Sequence, residues 1–335
     1  MITKKKFSER TTFIRNSLLA WGKSIRQKWI VSDKVKIGLA LGGGGARGLS
    51  HLGVLKVLEE EGIRIDLLAG VSMGAIVGGG YVLNPNAEVL KTKILQALKK
   101  IDMPRIEKAS LPKIFKGKTT IYRKFSALVK EIYALNKQRM QGFIIDFSLV
   151  EESIEDWLGG KTFAQTKIPF YAICTDLNSG EEVVLHDGRL DRAVLASSSI
   201  PAIFPPLQIN GRLLSDGGAI ESVPVRILKE LGADVIIAVN LETELKKRDF
   251  SKGMNAFYQV CDIRGKILNK RQMEFADIII EPATKNISWA HFSKAEKCIQ
   301  SGEEETRKKI AEIKAVIEKK KLKSFSLFQK NRFNA

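Results

Sequence analysis

Cysteine and histidine are scarce in this chain of 335 residues, and each scarcity excludes a class of protein. The three cysteines, at positions 174, 261 and 298, are too few and too scattered for a disulfide framework or a zinc ribbon. With only three histidines as well, no metal-ligand cluster stands out, so we expect neither a metal nor a cofactor. A hydrophobic content of 44% allows a substantial core and excludes a disordered or collagenous chain.

Long apolar runs are also few. Residues 18–21 form the longest such stretch near the start, which is shorter than the apolar region of a secretory leader. Residues 67–87 carry no charge, but their five glycines and one proline fit a buried strand, a tight turn and a buried helix better than a membrane span. We therefore expect a cytoplasmic protein, at most peripheral on the inner face of the membrane.

The net charge of +18 is concentrated in three segments. Residues 1–36 and residues 307–335 each carry ten Lys or Arg against two acids, and residues 99–142 carry twelve against three. The remainder of the chain is not basic. We therefore predict three parts: a basic amphipathic extension (1–34), a globular domain (35–300) in which 99–142 is a basic insert or lid, and a basic helical tail (301–335).

The basic segments favour a membrane surface over nucleic acid as partner. Residues 13–30 combine apolar residues at helical spacing with Trp, Lys and Arg, a pattern typical of interfacial helices and also of a helix packed on the body. Anionic lipid attracts such segments. Because the globular part carries little charge and has no nucleic-acid-binding motif, we expect no nucleic-acid partner.

Apolar runs alternate with helical patterns along the globular part. We predict strands at 35–41, 63–71, 168–176, 234–240 and 275–281, and helices at 46–61, 75–83, 120–136 and 303–323. Strands that alternate with helices indicate an α/β fold with a mainly parallel sheet.

A glycine-rich loop follows the first predicted strand. Residues 43–48 read GGGARG, and glycines at such a helix start leave backbone N–H groups open to an anion. The loop alone fits a dinucleotide fingerprint, with Asp66 as the acidic partner, or an oxyanion hole. A P-loop is excluded, because no Gly-Lys-Ser/Thr follows.

The second predicted strand ends in a candidate nucleophile. Gly70, Ser72 and Gly74 match G-x-S-x-G, in which a sharp strand-to-helix turn exposes the serine oxygen. Adjacent parallel strands would place Ser72 beside the glycine-rich loop. This pairing favours a hydrolase over a dinucleotide enzyme.

A serine nucleophile needs a base, and the residues alone leave the choice open. His51, His186 and His291 are the three histidines, and each fits a structural role. Asp216, presented on a turn by Gly217 and Gly218, could serve instead.

These motifs, in this order, resemble the patatin-like phospholipase family. Residues 197–206 (SSSIPAIFPP) and 175–181 (TDLNSGE) also look like family segments. The resemblance covers about residues 36–240. It implies a three-layer α/β/α sandwich and a Ser–Asp dyad without histidine.

The resemblance also implies residue roles and a substrate class. Ser72 would be the nucleophile, Asp216 the general base, and the oxyanion hole would comprise Gly43, Gly44, Gly45 and Arg47. The remaining motif positions are Gly48, Gly70, Gly74, Gly217 and Gly218. The expected activity is hydrolysis of a lipid or phospholipid acyl ester at a membrane surface; the alternative is a non-catalytic relative that binds a partner protein or a membrane.

Overall fold

The computed structural model describes residues 35–100, 148–201, 203–241, 245, 248–251 and 253–333. The predicted N-terminal extension, its helix at 13–30, the predicted helix at 120–136 and nearly all of the basic insert lie outside these residues. No helix in the described ranges has an apolar window long enough to cross a membrane.

Eight strands form one sheet. Five of them, in the order β3-β2-β1-β7-β8, are parallel, while β4 and β6 pair antiparallel with β3, and β5 pairs antiparallel with β6. The strands are β1 (Ile37–Leu41), β2 (Leu67–Gly70), β3 (Phe170–Asp176), β4 (Glu182–Leu185), β5 (Leu207–Ile209), β6 (Arg212–Asp216), β7 (Val235–Val239) and β8 (Ile278–Ile280). The predicted mainly parallel sheet is confirmed, with each predicted strand present at somewhat shorter bounds.

Eight α-helices surround the sheet. They are α1 (Ser50–Glu60), α2 (Met73–Leu83), α3 (Ala87–Lys100), α4 (Ser148–Leu158), α5 (Leu190–Ser197), α6 (Val225–Glu230), α7 (Gly253–Met273) and α8 (Ala295–Phe333) within the described ranges. Short 3₁₀ turns precede α1 at Gly45–Leu49 and follow β6 at Gly217–Ala219.

Two apolar clusters lie on opposite faces of the sheet. On one face, Leu39 and Leu41 of β1 pack with α1, α2 and α5, and the larger cluster extends to α8. On the other, Ala40 packs with a smaller cluster that includes Leu228 of α6. Because neighbouring strand residues point to opposite faces, a strand covered on both sides must be apolar throughout, as β1 is. The predicted three-layer α/β/α sandwich is therefore confirmed.

The longest helix, α8, crosses α1 at very close range. A Cβ on Gly302 would lie 2.0 Å from the carbonyl oxygen of Ser50, and one on Gly53 would lie 2.1 Å from that of Ile299. The predicted boundary between residues 300 and 301 falls inside this helix. The first half of α8 is thus part of the globular core.

Candidate active site

Ser72 lies on a sharp turn between β2 and α2. Its backbone has φ 56° and ψ −124°, which a non-glycine residue rarely adopts. The turn is crowded: a Cβ on Gly74 would lie 2.1 Å from the carbonyl oxygen of Leu41, and one on Gly70 would lie 2.4 Å from that of Gly74. The glycines of the predicted motif are therefore sterically required, and they place Ser72 at the carboxyl edge of the sheet.

Residues from α5 hold the strained turn. The Ser72 amide donates to both the carbonyl oxygen of Ser197, at 3.1 Å, and its hydroxyl oxygen, at 3.2 Å. The Ser197 hydroxyl in turn donates to the Ile173 carbonyl at 2.6 Å. The Ser72 amide is consequently occupied and is not available to an oxyanion. This anchoring role of Ser197 was not apparent from the sequence, although the triple serine is a visible signal.

Asp216 is the partner of Ser72. The Ser72 hydroxyl lies close enough to the Asp216 carboxylate to lower its pKa through hydrogen bonding, and the Gly218 amide donates to Asp216 Oδ1 at 2.8 Å. The backbone of Asp216 is fixed by its own amide, which donates to Ser199 at 3.0 Å, and by the Thr175 hydroxyl, which donates to its carbonyl at 3.1 Å. The structure thus brings together two residues that are 144 positions apart in the chain.

The turn after Asp216 is also sterically restricted. A Cβ on Gly217 would lie 2.4 Å from the Ile173 carbonyl oxygen, and one on Gly218 would lie 3.0 Å from Asp216 Oδ1. Both glycines of the predicted Asp-Gly-Gly turn therefore let the carboxylate lie against β3 while it accepts the Gly218 amide.

Burial makes the Asp216 carboxylate a stronger base than an exposed aspartate. Only 7% of the residue is exposed, and this burial raises its pKa to about 6, while the hydrogen bonds from Ser72 and Gly218 act in the opposite direction. A carboxylate with this pKa is ionised at neutral pH and accepts a proton more readily than an exposed aspartate does.

Two of the histidines, His51 and His186, contact groups other than Ser72. His51 Nε2 donates to the Gly42 carbonyl at 2.8 Å, and burial lowers its pKa to about 4, so the ring is neutral. This hydrogen bond anchors the start of the glycine-rich loop. The His186 ring is tilted against the Tyr171 ring, with the ring centroids 6.1 Å apart. His291 precedes the short turn at Phe292–Lys294.

Some backbone amides of the glycine-rich loop donate hydrogen bonds within the protein, and others remain open to a ligand. The Gly43 amide, predicted as an oxyanion donor, donates instead to the Ser222 carbonyl at 2.9 Å, and the Ala46 amide donates to the Trp289 carbonyl at 2.6 Å. The amides of Gly44 and Gly45 have no acceptor among the described residues. Two donors therefore remain for a ligand.

Arg47 lies behind these donors. Its backbone amide and its Nε both donate to the Gly44 carbonyl, at 3.2 and 3.3 Å. Because the C=O and N–H of one peptide point in opposite directions, a Gly44 carbonyl held by Arg47 turns the Gly45 N–H away from Arg47. Gly48 completes the loop: a Cβ there would lie 2.4 Å from Met73 Cγ, so this glycine lets the loop pack on α2.

An apolar cavity opens beside Ser72. It has a volume of about 110 Å³, and Gly45 and Ser72 form part of its wall. The rest of the wall is mainly large and apolar, and includes Ile76, Ile94, Leu98, Ile154, Trp157 and Phe204. The α2 helix also begins directly after Ser72, so its positive end points at the site. Among the described residues, no group of three His, Cys, Asp or Glu side chains could hold a metal ion.

Comparison with known proteins identifies the family of this chain. The family model described as patatin-like phospholipase matches residues 39–229. The chain belongs to the patatin-like phospholipase family. The resemblance carried by the three motifs is thereby confirmed.

The chain is similar to curated proteins that carry the name NTE. It is 32% identical to an uncharacterised NTE family protein of Mycobacterium tuberculosis over 213 residues, which are 63% of this chain and 50% of that protein. It is 30% identical to Lysophospholipase NTE1 of Kluyveromyces lactis over 231 residues, which are 68% of this chain and 14% of that protein. The chain thus spans about half the length of the mycobacterial relative.

Solved structures with a similar chain path have low sequence identity. VipD of Legionella pneumophila aligns with a TM-score of 0.48 at 14% identity, covering 84% of this chain and 67% of VipD. Human GIVD cytosolic phospholipase A2 aligns with a TM-score of 0.47 at 12% identity, covering 91% and 62%.

Proposed function

We propose that this patatin-like protein is a lipid acyl hydrolase in which Ser72 is the nucleophile and Asp216 the general base. One observation carries the proposal: a serine at a strained, glycine-lined turn lies within hydrogen-bonding reach of a buried carboxylate, at the wall of an apolar cavity. The Gly218 amide, which donates to Asp216 Oδ1, keeps the carboxylate in place.

The reaction follows from these contacts. Asp216 accepts the Ser72 proton as Ser72 Oγ bonds to the ester carbonyl carbon, and the carbonyl electrons move to its oxygen. When the tetrahedral intermediate collapses, the C–O bond to the alcohol breaks and Asp216 returns the proton to the leaving oxygen. Water then attacks the acyl-serine with Asp216 again as base, which releases the fatty acid and restores Ser72.

Stabilisation of the oxyanion is assigned to the Gly44 and Gly45 amides. Gly45 shares the cavity wall with Ser72, and Arg47 fixes the direction of the Gly45 N–H. The Gly43 amide is already occupied by the Ser222 carbonyl, and Arg47 supports the loop through the Gly44 carbonyl. Loss of a single oxyanion donor typically costs about 10²–10³-fold in kcat.

The cavity supports a lipid as the proposed substrate. Its wall of isoleucine, leucine, tryptophan and phenylalanine side chains suits an acyl chain, whose transfer from water is favourable by about 0.8 kcal/mol per buried CH₂. A lysophospholipid is the first substrate to test, because a relative is named a lysophospholipase.

Action at a membrane surface is part of this proposal, with the basic segments as attractants. Part of the tail's charge is already used: Arg307 pairs with Glu60, Lys314 with Glu61 and Lys320 with Asp277. In this proposal, the attraction to anionic lipid therefore comes from cations of the basic segments other than these three.

The test is labelling with a fluorophosphonate followed by peptide mass analysis, together with hydrolysis of lysophosphatidylcholine. We expect an adduct on Ser72 only, and no hydrolysis by Ser72→Ala or Asp216→Asn. Ser153→Ala is the matched control, because this serine lines the same cavity from α4. Full activity in Asp216→Asn would refute the dyad, and an unlabelled Ser72 in folded protein would favour the non-catalytic alternative.

A further inference from the structure

In the helix α7, polar side chains face the body and apolar side chains face outward, which is the reverse of a helix packed on a core. The side that meets the body is polar: Asn269, 2% exposed, donates from Nδ2 to Asn240 Oδ1 at 3.0 Å. Gln272 Nε2 donates to the Ile220 carbonyl at 2.9 Å on the same side. These hydrogen bonds, together with Met273 at the helix end, which packs against the smaller apolar cluster, attach this 21-residue helix to the domain.

The outward side of α7 is apolar. Phe257 is 59% exposed, Val260 is 54% exposed and Ile267 is 51% exposed. Ile263 and Leu268 are exposed on neighbouring turns, and Phe275 follows the end of the helix at 47% exposure. Large apolar side chains clustered in this way on a surface mark an interaction site, whereas single ones do not.

Cations are set into the same apolar stripe. Positions 257, 260, 264, 267 and 271 recur at the spacing of one helix face, so Arg264 and Arg271 lie among the exposed apolar residues, and Lys270 flanks them. None of these three cations has an acidic partner among the residues that the structure describes. The acid of this helix, Asp262, pairs with Arg248 at 2.7 Å.

We propose that this outward face of α7 (the α7 face) binds an anionic lipid bilayer. A helix with aromatic and aliphatic residues interleaved with arginine and lysine inserts its apolar side to the depth of the headgroups, where the cations meet lipid phosphates. The inference rests on the proposed function in one respect, which is that a membrane holds the substrate.

The position of the cations disfavours a second copy of this chain as the occupant. Arg264 lies at the centre of the stripe from 257 to 271. In a two-fold contact centred on that stripe, each Arg264 would face its own copy and leave like charges buried together. Anionic headgroups satisfy both the apolar and the cationic parts of the face.

Docking through α7 would hold the membrane close to the catalytic loop. The inner side of α7 forms one wall of a polar cleft of about 230 Å³, and Gly43 and Arg47 lie on another wall of it. The helix that we assign to the bilayer is thus a neighbour of the loop that we assign to the oxyanion.

The test is co-sedimentation of the full chain with vesicles of phosphatidylcholine plus phosphatidylglycerol, and with vesicles of phosphatidylcholine alone. Two triple variants remove the apolar and the cationic parts of the α7 face separately. They are Val260→Ser with Ile263→Ser and Ile267→Ser, and Arg264→Gln with Lys270→Gln and Arg271→Gln.

Each variant has a matched control of exposed residues elsewhere. The apolar control replaces Val89 and Leu177 by serine, and the cationic control replaces Lys93, Lys161 and Lys229 by glutamine; all five are exposed. We expect the cationic variant to bind the anionic vesicles about 100-fold more weakly and the apolar variant at least about tenfold more weakly, with both controls unchanged.

Hydrolysis of a water-soluble short-chain ester separates this inference from the proposed function. The α7 variants should hydrolyse it at the wild-type rate, because none of the substituted residues contacts Ser72 or Asp216. A wild-type chain that binds vesicles through α7 but hydrolyses no ester would refute the proposed function and keep this inference. If serine substitutions unfold the helix, as judged by circular dichroism, the cationic variant alone decides.

Two results would overturn the inference. One is vesicle binding that is unchanged in both α7 variants, or absent in the wild type. The other is a wild-type dimer in sedimentation equilibrium that the apolar variant converts to a monomer without any change in vesicle binding, which would assign the face to a second copy.

Discussion

The pH dependence of ester hydrolysis tests the Ser72–Asp216 pair directly. The base acts only when its carboxylate is ionised, and burial raises the pKa of Asp216 to about 6. About one tenth of the free enzyme is then competent at pH 5 and about nine tenths at pH 7. We therefore expect kcat/KM to rise about tenfold between pH 5 and pH 7 and to level off above pH 7.

An aspartate in water would behave differently. With a pKa of about 3.9 it is already more than nine-tenths ionised at pH 5, so kcat/KM would change by only about a tenth over the same range. The difference between a tenfold rise and a nearly flat profile is large enough to decide between a buried and an exposed base.

The assay uses a water-soluble short-chain ester at constant ionic strength, so that neither vesicle binding nor lipid packing varies with pH. Circular dichroism at each pH confirms that the protein stays folded. Ser153→Ala serves as the control and should follow the wild-type profile, because this serine lines the cavity from α4, whereas Ser72 follows β2 and Asp216 ends β6. A midpoint below about pH 5 in folded wild-type protein would refute the assignment of a buried Asp216 as the base in the free enzyme.

Three further predictions concern stability. Ser72→Gly should be about 1 kcal/mol more stable than Ser72→Ala in urea unfolding, because φ at this position is 56°, and equal stabilities would contradict the strain. Gly302→Ala should destabilise by about 2 kcal/mol or more, since its Cβ would lie 2.0 Å from a carbonyl oxygen; Gly265→Ala, with open space around it in α7, is the control and should change stability by at most about 1 kcal/mol. Burial and the neighbouring Glu182 raise the pKa of Glu221 from 4.5 to about 8, so the stability contributed by its protonated form is complete below about pH 4.5 and lost as the pH rises through about 8. The melting temperature of Glu221→Gln should therefore rise relative to wild type between pH 6 and pH 9, and a difference independent of pH would contradict this.

Local sequence determined the elements and the turn that carries Ser72. Strand β1 is apolar at every position, and the spacing of Gly70, Ser72 and Gly74 specifies a strand-to-helix turn, because each of these features depends on residues a few positions apart. Asp216 was predicted as the base through the family resemblance of its motif, and the residues alone also left histidine as a candidate base.

Tertiary structure decided which groups of the loop are free to act. The Gly43 amide is taken by Ser222 and the Ala46 amide by Trp289, and both acceptors are far away in the chain. No local pattern in a run of glycines distinguishes an occupied amide from an open one, since every glycine has the same donor.

Tertiary structure also decided the direction of α7. The periodicity of residues 253–273 is compatible with either side of a helix facing the body. Contacts from β7 and from the turn after Asp216, through Asn240 and Ile220, select the polar side of α7. With the polar side held against the body, the apolar side faces outward. These hydrogen bonds join elements that are far apart in the sequence, so no local pattern could have predicted which side would face the body.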